Sequence, residues 1–499
     1  MGFLRTEQHR GRFLLPAACA CVSLGLAPSA LADEPRAANE PRLLEETAGI
    51  TQVVDAFDEG DLFDLKLSLG YEYSMRSAPI RRETSIIQPG LSTGGYVSDA
   101  LSVAEYEEST SRLQTRAEIG LYKDIALILR MPVILSHSRK LSDLDGSSDT
   151  NSLNTQGLVG ESLFSVPFES PTRSGIEYLA VGFDFGLMNQ TRDWTNPTWI
   201  VGFEGRFDVS EPMHACNENP EPEGVKCAYP SDVNRNGRSD GDDEGSFSGE
   251  RDPGVSRGTT GLEIHTYVSK RVKYIEPYGG FLALLEFQNN SSDYGATDLE
   301  GSLVNRPPLR GSMVVGLEVI PWEIREKFQR IALDFRFTGT YVSEGRDYSE
   351  LFDALGSSPA PSLRNPNYAA YHANPDPDGP ASVVDPNSQK VYVTGLTDVQ
   401  QHGDYLLSTQ FSFQAGEFIK FNLGAGYRII QSHMITFDQP CNPNIDASPG
   451  ESGPCQSDSG DLSGLPNPNY RRVINAPGRR FMVGTSTGLQ AWLNASVMF

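Results

Sequence analysis

The strongest constraint on the fold is an alternation of apolar and polar residues that recurs along the chain. In the final stretch, QAWLNASVMF, the apolar residues Leu493, Val497 and Phe499 share one set of alternate positions, and Asn494 and Ser496 share the other. Because successive side chains of a β-strand point to opposite faces, this spacing predicts a strand with one apolar and one polar face. The apolar face of such a strand covers either the core of a soluble sheet or a surface that contacts lipid.

About twelve stretches of the chain show the same alternation, among them LFDLKLSLGYEYSM (62–75) and IEYLAVGFDFGLM (176–188). Their connections alternate in length: short links follow the even-numbered stretches, and long links rich in Ser, Asp, Asn, Gly and Pro follow the odd-numbered ones. A soluble sandwich has no reason to keep its long connections at one end, whereas an up-and-down membrane barrel does. The pattern therefore predicts an all-β fold, a closed antiparallel transmembrane β-barrel of about twelve strands over residues 61–499.

Charged residues occur on the polar faces of these stretches and are almost absent from the apolar faces. Unpaired charges are costly in a dry core, but they are stable in a water-filled lumen or where opposite charges pair across strands. We therefore predict that these side chains face the lumen of the barrel. The predicted lumen charges are Asp64, Lys66, Arg112, Arg116, Glu118, Asp184, Glu204, Arg206, Asp208, Glu263, His265, Asp334, Arg336, Lys420 and Arg428.

The N-terminus has the pattern of a secretory signal peptide. Arg5, Arg10 and Arg12 precede a short apolar run that ends in small residues, which predicts a signal peptide over residues 1–32 that is cleaved near Ala32. Outside residues 1–32, no apolar run approaches the roughly 18 residues that a membrane helix requires.

Residues 33–60 form a predicted N-terminal segment on the periplasmic side. Leu43, Thr47, Ile50, Val54 and Phe57 recur at spacings of three and four, which indicates a short amphipathic helix. Two interpretations are open: the helix plugs the mouth of the barrel, or the segment is an extension without a defined role.

The formal charge of the chain at pH 7 is −24. Nucleic-acid binding requires a basic face, so this balance argues against nucleic acid as a partner, and it suits a surface that attracts cations. The cysteines outside the signal peptide form two local pairs, Cys216 with Cys227 and Cys441 with Cys455. Since exported chains meet an oxidising compartment, two disulfides are the simplest prediction, and free thiols are the alternative.

Taken together, the signal peptide, the alternation of short and long links and the terminal NASVMF resemble a bacterial outer-membrane β-barrel protein. The resemblance implies location in the outer membrane of a Gram-negative bacterium, with membrane lipid as a partner. It also implies that the barrel-assembly machinery reads Phe499, with Val497 and Leu493 on the same face, as an assembly signal. It does not indicate an oligomeric state.

One motif in a long connection has the spacing of a calcium loop. The stretch DVNRNGRSDGDDE (232–244) places Asp or Asn side chains at alternate positions before a glycine, and Ca²⁺ prefers six to eight oxygen ligands. It resembles dockerin and thrombospondin-type calcium loops; the alternative is an acidic, turn-rich loop without a metal. The predicted ligands are Asp232, Asn234, Asn236, Arg238 (through its backbone carbonyl), Asp240 and Asp243.

Four functions are compatible with such a barrel. The first is a channel or uptake pore for small solutes, and the second is a gated carrier for hydrophobic compounds. The third is a surface scaffold or adhesion barrel with calcium-stiffened loops. The fourth is an outer-membrane hydrolase, for which the candidate residues are Ser136-His137-Ser138, His402 and His433, although no spacing links them into a triad. We therefore predict that the protein is not an enzyme.

Calcium binding by the loop can be tested directly. Replacing Asp240 and Asp243 together by Asn removes two carboxylate ligands, so the affinity of the refolded chain for Ca²⁺ should fall about tenfold or more in a calorimetric titration. The matched control is the double change of Asp143 and Asp145 to Asn, in another acidic stretch of a long connection. Equal affinities for the two variants would contradict the loop as the calcium site.

Overall fold

The computed structural model describes residues 48–54, 56, 64–88, 95–144, 155–158, 160–220, 224–227, 250–289, 292–294, 304–364, 393–416, 418–442, 465–467 and 469–499. The predicted signal peptide, most of residues 33–60 and the predicted calcium loop at 232–243 lie outside these residues.

Twelve long strands of the described chain form one closed, antiparallel barrel in which each strand pairs with its neighbours in sequence. This confirms the predicted fold class and strand number. The strands are β1 (Leu65–Gln88), β2 (Gly95–Tyr122), β3 (Ile125–Ser142), β4 (Leu179–Met188), β5 (Thr198–Phe207), β6 (Thr259–Ser269), β7 (Ile275–Gln288), β8 (Arg310–Ile324), β9 (Gln329–Val342), β10 (His402–Gln414), β11 (Ile419–Ile430) and β12 (Ser486–Met498).

The barrel closes where β12 pairs with β1. Lys66 lies opposite Met498, and the pairing continues without a shift to Ser77 opposite Thr487. Beyond the last strand residue, Phe499 exchanges two backbone hydrogen bonds with Leu65, at 3.0 and 2.9 Å. No strand edge is therefore left open along this seam, as a sheet in hydrocarbon requires.

An apolar belt surrounds the barrel. On β1 the outward-facing side chains from Leu67 to Met75 are large, apolar and exposed, and Ser77 is the next outward position. This stripe has the length of about 9 to 11 residues that a membrane-spanning strand needs. The other strands expose equivalent residues, including Phe203, Ile264, Phe281, Met313, Phe335, Leu407, Leu423 and Leu493. So large an exposed apolar surface indicates contact with lipid.

The first three strands are longer than the alternation predicts. We predicted a long connection between the first two strands, but β1 continues to Gln88 and β2 begins at Gly95, so most of that connection is a β-hairpin. The added length has a physical cause, because Ala78, Ile80 and Tyr106 of this extension are fully buried. They pack against residues of other long connections rather than against lipid or water.

At the end of the barrel that carries the long connections, here called the loop end, these connections fold into a cap with its own apolar core. The cap contains the helices α1 (Phe352–Gly356), α2 (Pro361–Arg364) and α3 (Arg472–Asn475). Its short strands are Phe168–Glu169, Arg173–Ile176, Lys226–Cys227, Glu250–Arg251, Gly345–Asp347, Thr397–Val399, His433–Met434, Cys441–Asn442, Leu465–Pro466 and Phe481–Val483. A 3-10 turn, Arg325–Lys327, lies at the opposite end, here called the turn end. The helices within the described ranges are all too short or too polar to cross a bilayer.

A buried ion pair fixes the cap to the barrel. Arg173 begins the short cap strand that pairs with β3 of the barrel, and its guanidinium group donates to both carboxylate oxygens of Asp353 in α1, at 3.0 and 2.6 Å. Both side chains are almost completely buried. Burial alone would raise the pKa of Asp353, but the charge of Arg173 and its hydrogen bonds lower it. The pair therefore contributes fully to stability at pH values above the ordinary pKa of an aspartate. That contribution is lost as the pH falls through the lowered pKa of Asp353 in the folded protein.

Loss of this pair should open the cap. Changing Arg173 to Met leaves Asp353 buried without its charge partner, which typically costs about 3–5 kcal/mol. Hydrogen exchange measured by mass spectrometry should therefore become much faster in peptides that cover α1. The matched control is Lys140→Met, because Lys140 pairs with Glu107 on the exposed surface, where such pairs contribute little. Unchanged protection of α1 in the Arg173 variant would show that the pair does not hold the cap.

Candidate solute pathway

The lumen contains a polar cavity of about 480 Å³ toward the turn end, here called the turn-end cavity. Its wall consists of inward-facing side chains of the strands, as alternation requires. Those that carry charge are Lys66, Arg112, Arg116, Glu118, Arg130, Glu177, Arg206, Glu318, Asp334, Arg336 and Lys420. Neutral polar residues, among them Gln114, Gln410, Ser412, Asn422, Asn494 and Ser496, complete the wall.

A second cavity of about 330 Å³, the loop-end cavity, lies nearer the cap. Its walls include Arg76, Glu108 and Arg428 from the barrel. Its roof comes from the long connections, through Met213, Val255, Arg257, Asp347 and Tyr348. The structure thus places two cavities, each large enough for several water molecules, one after the other along the lumen.

Arg112 and Glu177 line both cavities and mark the boundary between them. The Nε atom of Arg112 lies 3.0 Å from a carboxylate oxygen of Glu177, just before β4, and its Nη1 atom lies 3.4 Å from Glu72 on β1. An arginine that is held between two carboxylates from different elements narrows the lumen at this level. A solute that passes from one cavity to the other has to pass these three side chains.

Below this boundary, carboxylates each pair with two basic residues. Glu118 lies 3.0 Å from Arg116 on its own strand and 3.6 Å from Lys66 on the adjacent β1, and opposite charges on adjacent strands stabilise strand pairing. Glu204 pairs with Arg206, two residues along β5, and reaches across β4 to Arg130 on β3.

Further inward-facing carboxylates pair with basic side chains around the wall. Glu263 on β6 pairs with Arg206, and Asp184 on β4 lies 3.0 Å from His265. Across the lumen, Asp334 accepts hydrogen bonds from the hydroxyl of Tyr278 and, at 3.0 Å, from Arg336.

The remaining predicted lumen charges lie near the ends of strands. Asp64 is buried just before β1. Arg428 lines the loop-end cavity and pairs with Asp404, with an Nε–Oδ1 distance of 2.9 Å. Asp208 comes directly after β5 and is not part of the wall of either cavity.

An N-terminal segment occupies the turn end of the barrel. The backbone N–H of Ala48 donates to Glu276 at 2.8 Å, and the hydroxyls of Thr51 and Ser269 lie 2.8 Å apart. Gln52 accepts a hydrogen bond from Lys66 and lines the turn-end cavity. Within residues 48–54 the backbone forms a turn and an irregular stretch. These residues of the predicted helix are not helical, and its remaining positions, including Leu43, Thr47 and Phe57, lie outside the described residues.

The cap contains a buried histidine–aspartate pair beside the roof of the loop-end cavity. His214, next to Met213, lies 3.0 Å from the carboxylate of Asp293. Burial lowers the pKa of His214, but the Asp293 charge and hydrogen bonds outweigh it and raise the pKa to about 9. At neutral pH the positive imidazole is therefore balanced by the negative carboxylate of Asp293.

Two of the candidate hydrolase residues pack on each other without a nucleophile. The rings of His402 and His433 stack with centroids 3.7 Å apart, and each Nδ1 lies 2.8–2.9 Å from a backbone carbonyl two residues earlier. Burial lowers the pKa of His433 to about 4, so this imidazole is neutral at pH 7. His137 contacts Glu108 and Arg139, whereas Ser138 lies on the opposite face of β3. The described residues therefore contain no serine–histidine contact among these candidates.

The predicted disulfide between Cys216 and Cys227 is present in the cap, and Cys441–Cys455 stays a prediction because Cys455 lies outside the described residues. No three His, Cys, Asp or Glu side chains of the described chain form a group that could hold a metal ion. At the C-terminus, Leu493 and Phe499 point outward and are more than half exposed. Val497 shares their face of β12.

Sequence reasoning did not include Arg130, Glu177 and Tyr278 in the lumen. Arg130 interrupts an otherwise apolar stretch, and the alternation with Ala126 and Ile128 would have identified its face. Glu177 lies before β4 and is not part of the alternation of that strand. Its contact with Arg112 is therefore visible only in the folded chain.

Comparisons with known proteins show a general likeness to membrane barrels. No protein-family model matches the chain, and no curated sequence matches it significantly. An outer membrane channel from Pseudomonas putida F1 is 8% identical over 91% of this chain and 100% of its own, with a TM-score of 0.33. A FadL homologue from Pseudomonas aeruginosa is 10% identical over 87% and 90%, with a TM-score of 0.27.

A third solved structure, the outer membrane protease OmpT from Escherichia coli, is 9% identical over 90% of this chain and 100% of its own, with a TM-score of 0.25. Channels and a protease thus share this level of similarity.

Proposed function

We propose that this protein is a channel of the bacterial outer membrane that admits small polar solutes. The observation that supports it best is the charged lumen, in which polar cavities of about 480 and 330 Å³ meet at Arg112 and Glu177. A barrel with only a structural role would gain more from a lumen filled by apolar side chains. Twelve strands enclose a narrow lumen, so inward charges control what passes.

The proposal also covers where the protein is located and how it reaches the membrane. The apolar belt contacts membrane lipid, and the signal peptide, cleaved near Ala32, directs export. The outward-facing Leu493, Val497 and Phe499 are accessible to the barrel-assembly machinery. The loop at 232–243 binds Ca²⁺ and stiffens a connection on the cell surface. The proposed role is transport, without enzymatic activity.

Conductance in planar bilayers tests the channel. The refolded mature chain should give discrete open steps. Arg112→Ala should increase the step size up to about twofold, because it removes the side chain at the boundary of the two cavities. Lys140→Ala, on the outer face, is the matched control and should not change it. Silence of the native protein and of the Arg112 variant would contradict a channel.

A gated carrier is the second candidate, and the N-terminal segment in the turn end supports it. In addition to its hydrogen bonds, this segment packs Ala48, Ile50 and Val53 against buried residues of the barrel wall, including Tyr278. A segment that is held in this way has to move, or leave a gap beside it, before a solute can enter the periplasm. For hydrophobic cargo, binding of a long-chain or aromatic ligand would distinguish a carrier from an open pore.

Cross-linking tests whether the segment moves. Thr51 and Ser269 have hydroxyls 2.8 Å apart, so cysteines at both positions are close enough to form a disulfide. If passage requires displacement of the segment, the oxidised double variant should lose most of its conductance and regain it after reduction. The native protein under the same reductant controls for cleavage of Cys216–Cys227. Equal conductance in the oxidised and reduced states would mean that solutes pass beside a stationary segment.

A further inference from the structure

The walls of the turn-end cavity carry more basic than acidic side chains. Seven Lys or Arg residues and four Asp or Glu residues line it, although the chain as a whole has a formal charge of −24. The acidic excess of the protein therefore does not describe the environment of a solute inside it. The sign of the charge that faces the water depends on how deeply each group lies.

In three ion pairs of the wall, the basic side chain is more exposed than its acidic partner. The side chain of Arg116 is 38% exposed, whereas its partner Glu118 is 6% exposed. Arg336 and its partner Asp334 show the same contrast, with 33% and 8%, and Arg130 extends into the cavity from a buried partner, Glu204. In these pairs the guanidinium group stands between the carboxylate and the lumen, whereas Glu318 is slightly more exposed than its partner Arg330.

The acidic and basic groups also differ in how much of their hydrogen-bonding capacity is left unused. Two buried carboxylates accept from two donors each: Glu204 from Arg130 and Arg206, and Asp334 from Tyr278 and Arg336. Each guanidinium group has five N–H donors and cannot use all of them on one or two carboxylates. The surplus of donors at the cavity surface matches the oxygens of a carboxylate or phosphate group, which arginine binds in a bidentate manner.

From this arrangement we infer that the turn-end cavity is a binding site for small anionic solutes, with a carboxylate or phosphate group placed among Arg116, Arg130, Arg206 and Arg336. The inference rests on the proposed channel and specifies the solute that it selects. Lys66 and Lys420 extend the positive surface across the floor of the cavity. Gln410, Asn422 and Asn494 supply neutral donors and acceptors for the remainder of the solute. Cations meet the same guanidinium groups first and are repelled.

Reversal potentials measure this preference in the channel. Under a tenfold KCl gradient the native protein should be several times more permeable to chloride than to potassium, and inorganic phosphate should reduce the current. Replacing Arg116 and Arg336 together by Gln should bring the permeability ratio close to one or below it. Lys140→Gln is the matched control on the outer surface and should leave the ratio unchanged. Preference for potassium in the native protein would overturn the inference while leaving the channel intact.

Fluorescence quenching tests the positive charge of the turn-end cavity independently of ion conduction. Trp492 faces the lumen, where its indole Nε1 donates to Gln410 at 2.9 Å, while Trp194, Trp199 and Trp322 are on exposed outer surfaces. In a variant with these three changed to Phe, iodide should quench Trp492 at least about twice as strongly as caesium does, relative to free tryptophan amide.

Adding Arg116→Gln and Arg336→Gln to this variant should remove the difference between iodide and caesium. A silent bilayer together with a clear iodide preference would reject the channel and keep the anion site. Open steps together with equal quenching by the two ions would keep the channel and reject the anion site. Electrophoresis of unheated samples, in which folded barrels migrate differently from unfolded chains, shows that each variant has folded.

Discussion

The whole structure depends on closure of the hydrogen-bonded sheet between β1 and β12. Hydrocarbon offers no partner for a backbone N–H or C=O group, so an open sheet cannot remain in a bilayer. The unbroken register from Lys66–Met498 to Ser77–Thr487, and the bonds between Leu65 and Phe499, remove both edges at once. Once the sheet is closed, alternation sends every second side chain into a space sealed from lipid. The charges of the lumen are possible only because this space holds water.

Closure also explains why so many ions coexist in the wall. A carboxylate in a dry interior would require full compensation, but here one side of each group is hydrated and the other is paired. In the pairs Arg116–Glu118 and Arg336–Asp334, the acidic partner lies deep and the basic partner lies toward the water, which satisfies both conditions. In these pairs the negative charge lies nearer the lipid side and the positive charge lies nearer the axis. Net charge, which sums over the whole chain, does not register this order.

The sequence predicted the features that follow from the local alternation of side chains. It did not predict the features that depend on contacts between residues far apart in the chain. Alternation along residues such as Leu67, Leu69 and Tyr71 was sufficient for the strands, the closed barrel and the inward faces of Arg116 and Arg336. It did not predict the extension of β1, because the buried Ile80 packs against cap residues from remote connections. The contact between Arg173 and Asp353 spans 180 positions and has no local signal. The relative depth of Arg and Glu side chains likewise appears only after the wall is assembled, since both occupy the same inward positions.

The antiparallel pairing of β1 with β12 also limits how the diameter of such a barrel can change during evolution. β1 and β12 run in opposite directions, so insertion of a single strand would bring the two terminal strands together in parallel and carry the C-terminus to the other side of the membrane. Duplication of a complete hairpin keeps the seam and the sidedness. Diameter should therefore evolve in steps of two strands, while the long connections are free to lengthen one residue at a time.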